Sequence, residues 1–294
     1  MEKKILTNGL EIPVLGYGVY QIRGGSDECV RCIREAIETG YRLIDTAFVY
    51  GNEKEVGLGI KESGVNRSEI FLQTKVWTSD MGYEDTKKAI DRSLLNLGVD
   101  YIDMYLMHEP MGDIYGTWRA MEEAYSEGKL KGIGVCNMWP DRLLDLVLNV
   151  DIKPMLTQIE THPFQQQWTI APLLANYRIQ HQSWAPFAEG RENIWTNKIL
   201  TPIAEAHGKS VGQVILRWQY QRGIVSLSKT VHKERMAENM DIFDFSLTDA
   251  EMEKIKLLDH ARPLILNNRD LEVVERISPR LMKQAMEELA KQHE

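Results

Sequence analysis

A single (β/α)8 barrel is the fold this sequence predicts, and three observations carry the prediction. Strand-like and helix-like stretches alternate through eight units in about 240 residues, the size of such a barrel. Glycines stand where helices should stop, at Gly40, Gly64, Gly98, Gly128 and Gly223, as left-handed C-terminal caps require. No linker, low-complexity tract or shift of composition divides the 294 residues. One α/β domain is therefore expected, with the barrel over about 15–260 and a C-terminal loop and extra helix over 261–294.

The elements follow in order. Asn8-Gly9, between the apolar pairs Ile5-Leu6 and Leu10–Ile12, signals an N-terminal β-hairpin whose two turn residues both take positive φ. Residues 15–20 form the first barrel strand, followed by a helix over 27–39. The next units are strand 41–45 with helix 53–63, strand 70–75 with helix 83–97, and strand 102–108 with helix 114–127. Strand 131–136 leads to a helix opening at Pro140, where proline's fixed φ suits a first helical position. Strand 155–160 precedes a short helix over 170–177. Strand 179–185 is followed by two helical stretches, 197–207 and 211–221, and strand 224–228 with helix 233–240 completes the eight. Ser278-Pro279 then opens a further helix. Leu281, Met282, Ala285, Met286 and Leu289 mark one apolar stripe on it, expected to pack on the barrel, with self-association as the alternative. The competing architecture is an open doubly wound sheet, which wants G-x-G-x-x-G after its first strand. Neither Gly16-Tyr17-Gly18 nor Gly57-Leu58-Gly59 continues to a third glycine.

Composition narrows the function classes. A net charge of −8 argues against a nucleic-acid or anionic-membrane partner. No apolar run reaches the roughly 18 residues of a membrane helix, and Met1-Glu2-Lys3-Lys4 leads straight into strand-like sequence without an apolar signal region. Three cysteines, Cys29, Cys32 and Cys136, make no disulfide framework. A cytoplasmic protein, monomeric or weakly homo-oligomeric, is the expectation. Cys29-Val30-Arg31-Cys32 is a C-x-x-C, but it shares a helix with Ile33 and Ile37 and no thioredoxin-like feature accompanies it. Two packed thiols are expected rather than a redox pair.

In a barrel of this kind, reacting groups come from strand C-termini and the loops after them. Asp45, Lys75 and His108 end the second, third and fourth strands, and Tyr50 lies in the loop after Asp45. Neighbouring strands stand about 5 Å apart, so the four converge. Hydride reduction of a carbonyl leaves an alkoxide that needs a proton. A free tyrosine, with a pKa near 10, is a poor match to neutral pH, and an ammonium beside it lowers that value. Lys75 supplies the ammonium, Asp45 holds it charged, and His108 orients the carbonyl oxygen. Singly, each residue has a structural explanation: a strand-end cap, a loop anchor, a solvated lysine, a core histidine. The case rests on all four falling on consecutive units.

These residues carry a resemblance. Asp45-Thr46-Ala47-Phe48-Val49-Tyr50-Gly51-Asn52-Glu53 resembles the signature of the aldo-keto reductase family, bacterial-type and NADPH-dependent. Gly132-Ile133-Gly134-Val135-Cys136-Asn137 is similar to its second signature, and Leu227-Ser228-Lys229-Thr230-Val231 through Arg235, Glu238 and Asn239 to its third. The resemblance runs from about Lys4 to His260. It implies a nicotinamide cofactor held without a Rossmann domain and the tetrad Asp45, Tyr50, Lys75 and His108.

The cofactor site has its own physical logic. The segment after the eighth strand enters a helix N-terminus, whose free N–H groups attract anions, and barrels often bind phosphate there. Lys233 and Arg235 sit in the first helical turn, where the dipole disfavours cations and a bound phosphate accounts for them. Lys229, Thr230 and Arg235 suit a ribose 2′-phosphate, which favours NADPH (NADP+) over NADH. By resemblance, Asn137 and Gln158 bind the nicotinamide carboxamide, and Trp184 stacks on its ring. The loop Ala185-Pro186-Phe187-Ala188-Glu189-Gly190 covers the pyrophosphate, departing from the family's Ser-Pro-Leu-Gly. Gly18 and Val19 approach the nicotinamide, Val231 belongs to the phosphate segment, and Glu238 and Asn239 face the adenine.

Tyr20, Val49 and Trp77 match positions that line the family's pocket for a small carbonyl substrate. Glu109 departs from the aromatic residue that commonly follows the catalytic histidine. It either favours cationic or polyhydroxyl substrates or turns outward into an ion pair. Met138 and Trp139 are further departures, and residues 262–268 should form a loop over the pocket. The leading function is an NADPH-dependent carbonyl reductase with Tyr50 as proton donor and no metal. One alternative is an NADPH-binding regulatory or sensor subunit on the same barrel. Another, a metal-dependent hydrolase, wants clustered ligands that His108-Glu109 and His162-Pro163 do not supply.

Overall fold

Eight parallel strands close into a barrel in the computed structural model, which describes residues 2–284. A two-stranded antiparallel hairpin precedes it, β1 (Lys3–Ile5) paired with β2 (Glu11–Pro13). The barrel strands are β3 (Leu15–Gly18), β4 (Leu43–Asp45), β5 (Phe71–Val76), β6 (Met104–Met107), β7 (Ile133–Cys136), β8 (Leu156–Glu160), β9 (Gln180–Trp184) and β10 (Val225–Ser228). They neighbour one another in chain order, and β10 returns to β3 with Ser226 opposite Leu15 and Ser228 opposite Tyr17. No doubly wound sheet forms. A β–α–β crossover of right hand places each helix outside the next strand pair, and closure leaves no free sheet edge.

The helices are α1 (Gly25–Thr39), α2 (Glu53–Glu62), α3 (Tyr83–Leu97), α4 (Ile114–Ser126), α5 (Pro140–Asn149), α6 (Ala171–Tyr177), α7 (Leu200–His207), α8 (Val211–Gln221), α9 (Lys233–Met240), α10 (Asp249–Lys256) and α11 (Leu271–Arg276). Gly40, Gly98 and Gly208 cap α1, α3 and α7 in the left-handed region, as glycine permits without a Cβ clash. Helix α7 starts three residues later than its sequence pattern suggests. The Asn197 carboxamide accepts from the Ile199 and Leu200 N–H groups and holds the chain short of helix. Helix α10 lies in a stretch that reads as connection, yet Thr248 and Glu251 form a capping box there, each side chain bonded to the other's backbone N–H.

The hairpin turn differs from the expected pair of positive-φ residues. Gly9 alone has positive φ, at 85°. The N–H of Gly9 reaches Leu6 O and that of Leu6 reaches Leu10 O, a type I turn followed by a glycine bulge. Asn8 stays out of the left-handed region because its carboxamide is employed: Oδ1 accepts from Leu10 N and Nδ2 donates to Lys131 O.

The barrel interior and the layer between strands and helices are the core. Trp118, Trp218, Tyr17, Tyr41 and Tyr105 are its largest buried members. Cys29 and Cys32 are buried free thiols on α1, and burial pushes the Cys29 thiol up to about 12, as expected for packing residues. Gly57 and Gly59 serve helix packing. A Cβ at Gly57 would fall 2.1 Å from Leu97 O, and one at Gly59 2.8 Å from the Ile33 side chain. Ser278-Pro279 does open a helical turn. Of its apolar stripe, Ala285, Met286 and Leu289 lie outside the described residues.

Candidate active site

Side chains alternate along a strand, so Gln73 and Lys75 on β5 point to the same side as Asp45 on β4 and converge in the barrel. Lys75 is 0% exposed. Its ammonium donates to Asp45 Oδ2 at 2.8 Å, to Thr46 O at 2.8 Å and to Tyr50 Oη at 3.5 Å. Tyr50 reaches it from a 3-10 turn, Phe48–Tyr50, that follows β4 and is closed by Gly51 at φ 68°. His108 follows β6 and meets the Tyr50 ring edge-on at 5.6 Å between centroids. The four residues predicted to meet do so at the C-terminal rim.

Burial works to lower the Lys75 pKa, but Asp45 and then Tyr50 more than reverse it and hold the ammonium charged. Burial pushes the Tyr50 hydroxyl up, and Lys75 pulls it down without overcoming burial. The lowering expected from the sequence is thus a partial offset and not the net shift. Tyr50 is protonated at neutral pH, the form that can donate. Burial, and then the Lys75 charge, hold His108 well below the usual imidazole range, so its ring is neutral. Its Nδ1 has no protein partner among the described residues.

Below the lysine lies a polar layer of three glutamines. Asp45 Oδ1 accepts from Gln73 Nε2 at 2.5 Å and from Gln158 Nε2 at 3.0 Å, and both amides also donate to Gln182 Oε1 at 2.8 and 2.9 Å. Such satisfaction is what lets an ion pair sit inside a barrel. Sequence reading missed Gln73 and Gln182. The usable signal is a polar residue two positions before a strand-end functional residue, on the same inward face.

Gln158 therefore meets Asp45 and Gln182 with its amide nitrogen, while Cys136 Sγ lies 3.8 Å from its Oε1. Asn137, at φ 54°, donates to His108 O and to Glu109 Oε1 and accepts from Trp184 Nε1 at 2.8 Å. That last bond fixes the half-buried Trp184 ring at the rim. Gly18 ends β3 with open space above it, a Cβ there meeting only Ser228 O at 3.9 Å. Val19 is fully buried, its N–H donating to Asp45 O and its carbonyl accepting from Asn52 Nδ2.

The loop after β9 concentrates strained backbone. Ala185, Ala188, Glu189 and Gly190 all have positive φ, a pattern that turns N–H groups into concave clusters. Ala188, Gly190 and Arg191 bond their N–H groups within the loop, to Ala185 O, Phe187 O and Ala188 O. Those groups are not free, which narrows the pyrophosphate cover read from the sequence. Phe187 packs on Trp195 at 5.4 Å.

Tyr17 donates to Thr230 O at 2.6 Å and Arg31 to Val231 O at 3.3 Å, pinning the segment that enters α9. Lys229 and Arg235 stand exposed beside it, as does Glu238, and no side chain caps the α9 N-terminus at His232. Lys233 differs from expectation. It pairs with Glu38 at 2.8 Å, so it needs no phosphate to account for it. Asn239 is buried and hydrogen-bonds Tyr41, so it faces the protein rather than solvent.

Tyr20 and Val49 are exposed at the rim, Tyr20 against Tyr50 at 4.9 Å, and Trp77 meets His108 edge-on at 4.9 Å. Glu109 contradicts the outward ion pair. It is 1% exposed and turned inward, where Asn137 Nδ2 (2.6 Å) and Asn268 Nδ2 (3.1 Å) hold its two oxygens. Those two amides satisfy the carboxyl without a cation, and burial still pushes it up to about 8. It also has no surface to offer a substrate. Among the described residues no group of three or more His, Cys, Asp or Glu side chains is placed to hold a metal ion, and no helix is long and apolar enough to cross a membrane.

Comparisons with known proteins agree with this geometry. Residues 14–260 match the aldo/keto reductase family. The chain is 46% identical over 255 residues to glyoxal reductase of Bacillus subtilis, covering 86% of this chain and 91% of that one. It is 44% identical over 271 residues to morphine 6-dehydrogenase of Pseudomonas putida, covering 86% and 90%. Among solved structures, an aldo/keto reductase from Brucella melitensis superposes with a TM-score of 0.84 at 43% identity, covering 88% of this chain and 99% of that one. A Bombyx mori aldo-keto reductase in complex with NADP does so with 0.85 at 32% identity, covering 91% and 96%. With the barrel, the rim tetrad and these matches together, the chain belongs to the aldo/keto reductase family.

Proposed function

We propose that the chain reduces the carbonyl of a small aldehyde or ketone with NADPH, Tyr50 donating the proton. The observation that carries this reading is the Tyr50 hydroxyl at the open rim, 3.5 Å from an ammonium that Asp45 holds inside the barrel. The donor set fits the cofactor. Lys229 and Arg235 stand beside Thr230 at an uncapped helix N-terminus, a combination suited to a phosphate and so to the 2′-phosphate that separates NADPH from NADH. The half-buried Trp184 face suits a nicotinamide ring. The NADP and NADPH complexes of two similar structures support the same choice.

When bound, NADPH supplies the hydride. The chain's own residues do the rest. Neutral His108 donates a hydrogen bond to the carbonyl oxygen and orients it. Tyr50 passes its proton to that oxygen as negative charge develops there, and Lys75, pinned by Asp45 and Thr46, stabilises the tyrosinate left behind. Tyr20, Val49 and Trp77 offer apolar surface to the substrate. Glyoxal reductase and methylglyoxal reductase among the relatives support a small, activated carbonyl.

Isotope transfer tests the reading. NADPH deuterated at the reactive carbon, incubated with the protein and glyoxal, should place deuterium on the new carbinol carbon. Tight NADPH binding with no deuterium transfer to any carbonyl would instead make the chain a cofactor-binding regulatory protein.

A further inference from the structure

Three residues that no catalytic step uses meet at one point. Asn268, in the loop that crosses the rim, donates to Glu109 Oε2 (3.1 Å) and to Asn137 O (2.7 Å) and accepts from Trp139 Nε1 (2.5 Å). It is 7% exposed, although it lies in a loop. Glu109 and Trp139 are two of the positions at which this chain departs from the family pattern, and both side chains bond the same loop residue. Arg269 adds a cation–π contact on Trp139 at 3.9 Å and a bond to Asp141 at 2.9 Å. At its other end the loop is held by Glu160, whose carboxylate accepts the N–H groups of Leu264, Ile265 and Leu266 at 2.7, 3.2 and 3.2 Å. A small cavity bordered by Asn137, Trp139, Leu266 and Asn268 lies beneath the loop, beside the tetrad and not lined by it.

We propose that Glu109, Trp139 and Asn268 are positioning residues that lock the C-terminal loop over the carbonyl pocket and restrict it to small substrates. The lock reaches the chemistry through Asn137, which touches Asn268 with its carbonyl and His108 O, Glu109 and Trp184 with its side chain. A loop held at both ends gives the substrate side one fixed wall. Removing the Asn268 carboxamide frees one end, leaves Glu109 Oε2 and Trp139 Nε1 without their partner while Asn137 still holds Glu109 Oε1, and opens that wall. The inference rests on the reductase reading for its substrate, but not for the lock itself.

The test uses the full chain and two readouts. Amide hydrogen exchange over 262–270 reports the lock without turnover. The ratio of kcat/KM for propanal to that for 2-naphthaldehyde reports its effect on size selection. Asn268→Ala should accelerate exchange at Arg269 and Asp270, whose N–H groups bond Asn267 at the freed end, and lower the ratio by about tenfold, the scale on which pockets discriminate by size. Trp139→Phe keeps the ring under Arg269 but loses the donor, and should shift both readouts in the same direction by less. Unchanged exchange in Asn268→Ala, or an unchanged ratio, would overturn the proposal. Faster exchange in a protein whose parent turns over neither aldehyde would uphold the lock and count against the reductase reading instead.

Discussion

Lys75 shows at the scale of one residue how much a single charge commits the chain. A fully buried ammonium survives because Asp45, Thr46 O and Tyr50 surround it and because Gln73 and Gln158 occupy the other carboxylate oxygen of Asp45. Lys75→Met leaves that carboxylate inside the barrel without a cation, which should cost about 3–5 kcal/mol in urea denaturation and abolish turnover. His108 makes a separate prediction. Burial and Lys75 keep its ring neutral, so the pH profile of kcat should show no inflection near the ordinary imidazole value of about 6.5. A break there that disappears in His108→Gln would show a charged imidazole. The four tetrad residues were legible because Asp45, Lys75 and His108 stand at strand ends, Tyr50 lies in the loop after one of them, and their residue types suit one chemistry. Gln73 and Gln182 were not, since an inward glutamine carries no chemical signature until its partner Asp45 is in place. Glu109 was misread because its partner Asn268 lies 159 residues away, beyond any local pattern.

At the scale of elements, the strand–helix alternation located all eight barrel strands to within a few residues, since helix and strand periods differ and glycine ends the helices. What escaped was set by side-chain bonds. Asn197 delays α7, a capping box nucleates α10, and Asn8 changes the hairpin turn. The glycine pair at 57 and 59 has a packing cause that only neighbouring helices reveal. Gly57→Ala drives a Cβ into the Leu97 backbone, where nothing flexible can yield, and should lower the denaturation free energy by about 1–3 kcal/mol. At the entry to α9, Arg235 is exposed and is the side chain we propose for the 2′-phosphate. Arg235→Ala should weaken NADPH about 10- to 100-fold, the loss of one charged hydrogen bond, and leave NADH affinity nearly unchanged. Equal losses for both nucleotides in fluorescence titration would remove the 2′-phosphate from this place.

The whole molecule is a closed barrel with its chemistry at one rim and a C-terminal loop strapped across it, and its stability should carry a signature of that strap. Glu109 in the folded chain titrates at about 8 because burial opposes its ionisation, whereas an unfolded glutamate titrates near about 4.3. Between those values the native state binds more protons than the unfolded one, so this residue makes stability fall as pH rises. Glu109→Gln removes the effect. Its melting temperature relative to the parent should rise from about pH 4 to about pH 9 and level off above that, and a constant difference would mean that Glu109 is already ionised in the fold. The measurement that bears most directly on the function is NADPH oxidation with glyoxal by the parent and by Tyr50→Phe. The parent should turn over and the variant should lose about 100- to 10,000-fold in kcat while binding NADPH as before. A variant that reduces glyoxal at the parent's rate would contradict Tyr50 as the proton donor and with it the central claim.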